Sequence, residues 1–381
     1  MLISDVQQTS GSPWQPAGWQ RHDVRYIPAY GEAAVGPVVE RLADLLGLVG
    51  HAEVACLVEQ LAQAVHDRAF VLQLGPAQEF FDDAHPRQVD DHLQLLDAVG
   101  KYLAFMLPRP LVSIGTLAGN YARFCQDATE EVRDQTLTSY WGDMVNAMSP
   151  NRWGRRPDAN RMLWAYEAAE LTLSWIRAHR MPVYTSHECA NLYFEQALTR
   201  PIGGATAFYA SSAHLLTVDG ACLFPGSAHL AYLQGVANPV AVRVGPHLLP
   251  ERLRSVCRSL NPGAVAGKLL LITSLGDQVS ALPSLLRAVQ DEGMPVVWMC
   301  DPLRANVCTE QARGVPLPMS AMADEVESTV TLHASQHSHL GGLHISALPA
   351  SLARADRPAQ FNFTQALQVC SHFAHADTRS R

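Results

Sequence analysis

Residues 240–300 read VAVRVGPHLLPERLRSVCRSLNPGAVAGKLLLITSLGDQVSALPSLLRAVQDEGMPVVWMC. Three short apolar runs, VAVRV (240–244), LLLIT (269–273) and PVVWM (295–299), alternate there with two longer stretches of helical character, 249–260 and 280–292. The runs are continuous and lack period-2 alternation, as expected of parallel strands covered on both faces. Working outward, the same alternation continues. AFVLQL (69–74), LVSI (111–114), PVYTS (182–186) and AHLLTV (213–218) precede the stretch and STVTLH (328–333) follows it, with helical patterns over 87–106 and 159–179. Eight strands interleaved with helices over about 310 residues predict an α/β fold, a (β/α)8 TIM barrel. An open doubly wound sheet is the alternative. Before the first strand, Val39, Leu42, Leu45, Leu46, Val54, Leu57 and Leu61 fall at helical spacing and predict an N-terminal helical extension of two amphipathic helices. Residues 1–38, rich in Pro, Gly, Gln and Trp, read as an irregular arm. The expected division is 1–67, arm and helical extension, and 68–381, barrel.

Composition bounds the class. The chain has 381 residues, 28 Lys+Arg against 36 Asp+Glu, and a net charge of −8, with 48% hydrophobic and 17% charged residues. Disorder is excluded by the apolar content. Nucleic acid is an unsuitable partner, since the cationic footprint that neutralises phosphates is missing. No run approaches the ~20 apolar residues of a membrane span, and the first twenty residues lack the pattern of a secretory leader. The eight cysteines form no C-x-x-C pair, which leaves a reducing cytoplasm as the expected compartment.

In such barrels the chemistry sits at the C-terminal ends of the strands. The polar residues at those ends are Gln73 and Glu79, Thr185 to Glu188 with His187 between, His214 with Asp219, Ser274 with Asp277, Asp301 with Arg304, and His344 with Ser346. Arg243 lies inside an apolar strand. Either it is half of a structural ion pair or it is an anion handle at the barrel mouth, because an unpaired buried charge is costly. His333, His337, His339 and His344 invite a metal reading, with satisfied structural histidines as the commoner state. Cys125, Cys222 and Cys300 lie near strand ends and read either as thiol nucleophiles or as inert buried thiols.

Eight stretches in order, among them AFVLQLGPAQEFF (69–81), PLVSIGTLAGNYAR (110–123), YTSHECANLYFE (184–195), VVWMCDP (296–302) and HSHLGGLH (337–344), resemble the class II 3-deoxy-D-arabino-heptulosonate 7-phosphate (DAHP) synthases. The resemblance runs from about residue 66 to 376, most of the barrel region. It implies a (β/α)8 barrel, a homo-oligomer, and a family reaction that condenses phosphoenolpyruvate with erythrose 4-phosphate around a divalent metal. The family's metal ligands, a cysteine, a histidine, a glutamate and an aspartate, fall by this resemblance on Ala77, Arg304, Ser346 and Pro358. Phosphate-handling arginines of the family fall on Thr116, Ala221 to Leu223 and Ser274, whereas Arg123 and Arg243 stand where it has lysines. Read this way, the chain is a divergent member lacking the metal ligands.

The favoured expectation is a repurposed, metal-independent enzyme without a cofactor, acting on a carboxylate-bearing small molecule in specialised, shikimate-related metabolism. Its catalytic candidates are His187, Glu188, His344 and Glu79. Its substrate-binding candidates are Arg304, Arg243, Arg123, Asp301, Ser274, His214 and Ser346. Arg304 reads either as an oxyanion clamp in place of the metal or as a plug paired with Glu79 or Asp301. A non-catalytic barrel that binds a metabolite or a partner synthase of the same pathway is the second expectation, and residual DAHP synthase activity the third.

Overall fold

The computed structural model describes residues 13–204, 207–307, 319–354 and 357–380. The first twelve residues of the expected arm and Cys308 lie outside them. Twelve strands run along the described chain: β1 (Phe70–Gly75), β2 (Leu111–Gly115), β3 (Thr129–Val132), β4 (Gln135–Thr138), β5 (Val183–Glu188), β6 (Thr199–Ile202), β7 (Ala207–Ala210), β8 (Leu215–Asp219), β9 (Val240–Val244), β10 (Leu269–Thr273), β11 (Val296–Cys300) and β12 (Gly342–Ser346). Eight of them close a barrel in the order β1, β12, β11, β10, β9, β8, β5, β2. All its neighbours are parallel. The pairs β3–β4 and β6–β7 are antiparallel hairpins outside the barrel.

The fold is therefore the (β/α)8 barrel that the alternation of runs predicts. One strand needs correcting. STVTLH (328–333) lies inside the helix Met319–Ser335, and the eighth barrel strand is β12, farther along the chain. The turn residues after the helix, with His337 at φ 52°, separate the two.

Strand parity decides what faces inward. Val71, Val112, Ile114, Leu270, Val297 and Met299 pack together in the barrel lumen, whereas their neighbours Phe70, Leu72, Leu269, Leu271, Val296 and Trp298 face the surrounding helices. The base of the lumen is sealed by the helix His51–Val65, whose Leu57, Leu61 and Ala64 lie 4 and 3 residues apart on one face and join the lumen cluster. Glu53 starts this helix by accepting the Gly50 N–H at 2.6 Å. The loops entering β10 and β12 press on the same helix, with Gly267 against the Val58 carbonyl and Gly341 against that of Ala64. The other end is left for polar residues.

The described part of the N-terminal arm, from residue 13, packs on the barrel domain. Trp14 donates to the Ala231 carbonyl at 2.9 Å, buried Trp19 donates to Gln196 at 3.1 Å, and the Tyr26 ring lies 4.8 Å from that of Phe124. Among the described residues no helix is long and apolar enough to cross a membrane.

Candidate functional site

Followed toward the C-terminal ends, the inward rows change from apolar to charged. Glu188 ends β5, Asp219 ends β8, Arg243 is the inward residue of β9, Asp301 follows β11 and His344 is the inward residue of β12. The Arg243 guanidinium sits among them. Its Nη1 lies 3.4 Å from Asp301 Oδ2 and 3.4 Å from His344 Nε2, and its Nε lies 3.4 Å from Glu188 Oε1 without forming a hydrogen bond. Arg304 reaches over the rim, donating to Asp219 Oδ2 at 2.7 Å and lying 3.8 Å from Glu188 Oε1. The Arg304 side chain is 42% exposed, against 11% for Arg243 and 2% for Asp301, so accessibility falls from the rim inward.

Backbone donors hold these carboxylates in place. Asp301 Oδ1 accepts the N–H groups of Leu303 and Arg304, and Glu188 Oε2 accepts that of Phe124 at 3.0 Å. Ser346 Oγ lies 3.5 Å from His344 Nε2. Burial, with Arg243 beside it, pushes the His344 imidazole down to about 3, so it is neutral near pH 7. One layer below, Gln73 reaches across the lumen to Ser186 Oγ at 2.9 Å and Thr217 Oγ1 at 3.4 Å. Two fully buried atoms on these rows, Gln73 Oε1 and His344 Nδ1, have no hydrogen-bond partner. Buried polar atoms are rarely left so, which marks the mouth as a place for a ligand.

Sequence reasoning thus brings together Glu188, Arg243, Asp301, Arg304, His344 and Ser346. Arg123 stands beside them on the loop after β2, next to Phe124. Its guanidinium lies 5.8 Å from the Tyr140 ring centroid, and among the described residues no carboxylate pairs with it. Ser274 borders the site but uses its Oγ to accept the Ala305 N–H at 2.9 Å, fixing the turn that carries Arg304.

Three candidates lie elsewhere. Glu79 is buried, and its two oxygens accept the N–H groups of Ala118, Gly119 and Asn120 at 3.1, 3.0 and 2.8 Å. Burial raises its carboxyl to about 7, against the pull of those donors. His187 points away from the lumen, where its Nε2 meets Glu195 Oε1 at 2.7 Å and Ser212 binds the other Glu195 oxygen. His214 precedes β8 and sits at the base, with Nδ1 3.0 Å from Thr185 and Nε2 3.9 Å from Glu53 of the base helix. Glu79 and His214 are held by structural partners, whereas His187 is paired only through Nε2 and leaves its buried Nδ1 without a hydrogen-bond partner, facing Gly119.

The histidines of 333–344 do not converge. His333 is on the outer helix against Trp298, His339 contacts the Ala64 carbonyl at the base, and only His344 enters the mouth. Among the described residues no three His, Cys, Asp or Glu side chains are grouped to hold a metal ion. Burial raises the thiols of Cys125, Cys222 and Cys300, which favours the inert form. Asp219, the partner of Arg304, and Gln73 are among the strand-end polar residues that the sequence offers but not among its catalytic or binding candidates. Strand parity, counted inward from Arg243 and His344, would have found both.

The family described as Class-II DAHP synthetase matches residues 14–182 and 178–352. A phospho-2-dehydro-3-deoxyheptonate aldolase of Neurospora crassa is 26% identical over 413 residues, covering 89% of this chain and 85% of that protein. A probable phospho-2-dehydro-3-deoxyheptonate aldolase of Pseudomonas fluorescens is 28% identical over 319 residues, covering 81% and 80%. The solved structure of the phospho-2-dehydro-3-deoxyheptonate aldolase of Francisella tularensis SCHU S4 superposes with a TM-score of 0.55 at 10% identity, over 93% of this chain and 97% of that one. At that identity the likeness is one of fold alone.

Proposed function

The chain belongs to the class-II DAHP synthetase family, and from that premise we propose a barrel whose mouth acts on a small carboxylate-bearing molecule without the family's divalent metal. The observation that carries this reading is the Arg243 guanidinium held among Glu188, Asp301 and His344, with Arg304 paired to Asp219 above it. By the resemblance, the metal ligands fall on Ala77, Arg304, Ser346 and Pro358. Alanine and proline bring no donor side chain, and arginine stays a cation. Neighbouring donors do not make good the loss. The Glu79 oxygens are taken by three N–H groups, and Asp301 Oδ2 faces a guanidinium 3.4 Å away. This donor set does not fit a dication, nor the phosphoenolpyruvate that the metal would help to hold.

In the proposed site Arg123 takes the substrate carboxylate, and Arg243 and Arg304 orient the carboxylates of the mouth. Glu188 and Asp219 serve as proton acceptors, and neutral His344 donates a hydrogen bond to the ligand through Nδ1 without giving up a proton. The setting we infer is specialised, shikimate-related metabolism in the cytoplasm, with the chain working as a homo-oligomer.

The test is chemical. Purified protein given phosphoenolpyruvate, erythrose 4-phosphate and Mn²⁺ or Co²⁺ should not consume phosphoenolpyruvate. A panel of keto acids, hydroxy acids and amino acids should include one that raises Tm in the presence of EDTA, and Arg123→Ala should abolish that rise. Chelator-sensitive consumption of phosphoenolpyruvate would instead return the ordinary synthase. A second reading, a non-catalytic barrel, is favoured by the fastening of the loops after β1 and β12 through Arg357–Asp83 and Gln360–Ala77. It gains ground if the whole panel is silent and a synthase co-purifies.

A further inference from the structure

We propose that the ligand of this mouth carries an ammonium group as well as a carboxylate, and is therefore a zwitterion of the amino-acid class. This deepens the function proposed above and rests on it. Two arginines, Arg243 and Arg304, meet three carboxylates, Glu188, Asp219 and Asp301, within one connected group. His344 adds no charge because Arg243 and burial keep it neutral. Among the described residues the group is thus one negative charge in excess, and a purely anionic ligand placed on its buried side meets repulsion.

The excess cation lies to one side. Arg123 has no carboxylate partner among the described residues, and its Nε is buried without a hydrogen bond. The next residue, Phe124, donates its N–H to Glu188, and the Cys125 thiol interacts with both Arg123 and Glu188, so a cation without a carboxylate partner adjoins the carboxylate-rich group. A ligand bearing both charges satisfies both. The unpartnered atoms agree in kind: Gln73 Oε1, 0% exposed on the inward row of β1, is an acceptor waiting for an N–H donor. The mouth also closes no other way around, since Glu188 reaches Arg243 and Arg304 only at 3.4 and 3.8 Å, whereas the structural pair Arg109–Asp377 is at 2.8 Å. Long contacts of this kind leave Glu188 free to accept a further donor.

The experiment is titration calorimetry in EDTA with ligand sets that share a skeleton and differ at one carbon: alanine, lactate and pyruvate, then phenylalanine, phenyllactate and phenylpyruvate. In at least one set the amino member should bind about tenfold or more tighter than its hydroxy and oxo partners. Glu188→Gln, nearly isosteric, should erase that preference, weakening the amino member about tenfold while the oxo acid binds at least as tightly as before, because one repelling charge is gone. Asp219→Asn serves the same purpose should Glu188→Gln fail to fold. Equal or tighter binding of the hydroxy or oxo acid would overturn the ammonium inference and leave the metal-free reading standing. Silence of both sets also counts against the inference. Binding of phosphoenolpyruvate that requires Mn²⁺ would instead overturn the reading beneath it.

Discussion

At the residue scale, the clamp on Glu79 shows how a polar side chain at a strand end can be structural. Ala118 and Gly119 adopt φ of 64° and 151°, a backbone path that turns three consecutive N–H groups onto one carboxylate. A Cβ on Gly119 would stand 2.5 Å from His187 Nδ1. Gly119→Ala should therefore destabilise the protein by about 2 kcal/mol or more, read as a lower urea midpoint with unchanged slope. Sequence reasoning had Glu79 as a catalytic group because its position after β1 is right. What it lacked was the loop after β2, whose conformation no residue of β1 encodes. The partner of Arg304 escaped for a similar reason. Asp219 is distant from it in sequence, and they meet only because β8 and β11 end at the same mouth.

At the scale of elements, the misread strand is instructive. STVTLH is rich in β-branched residues, and a short apolar run does not reveal its period. Its true state comes from the longer segment around it, where Met322, Val326, Val330 and His333 are all buried on one helical face. That helix also carries Glu325, whose oxygens hold the Leu275 N–H at 2.8 Å and the Asn306 amide at 2.7 Å, on either side of the turn bearing Arg304. Burial raises Glu325 from 4.5 to about 7. A carboxyl raised in the folded state binds its proton more tightly than in the unfolded chain. Its contribution to stability is complete below about pH 4.5 and is lost as pH rises through about 7. At ~1.4 kcal/mol per pKa unit the swing is about 3 kcal/mol. Glu325→Gln should flatten the urea-midpoint profile between pH 4.5 and 7, and an equally steep profile in the variant would refute the assignment. On the opposite side of the barrel, the base helix offers a packing test. Leu61 is fully buried in the lumen cluster, so Leu61→Ala should cost about 3 kcal/mol.

At the scale of the whole molecule, the architecture was legible because seven of the barrel strands are short, mostly apolar runs separated by helical stretches, and their order in sequence is their order around the ring. The helical extension was legible as two amphipathic stretches. Its placement was not, since nothing in Leu57, Leu61 and Ala64 says that their apolar face seals a barrel rather than packing on its outside. The same continuity of the runs hid the mouth: with both faces apolar, a strand offers no sign of which residues look inward. Polar residues in the middle of three strands, Gln73 in β1, Arg243 in β9 and His344 in β12, break that symmetry, and Arg243 proves to be the centre of the site.

The closure of the ring has a consequence in time. β1 is hydrogen-bonded to β12, from Val71 with Gly342 to Gly75 with Ser346, yet on the order of 270 residues separate the two, roughly 15–50 s of translation at ~5–20 residues per second. Throughout that interval the nascent chain carries an open sheet with a free edge at β1, and such edges recruit unwanted strands. The helix Phe363–Ser380 stacks Phe373 on Phe70 of β1 at 4.6 Å and so packs over the seam once β12 is in place. The seam between β1 and β12 is therefore the last part of the ring that can close, and its edge is the one left open longest.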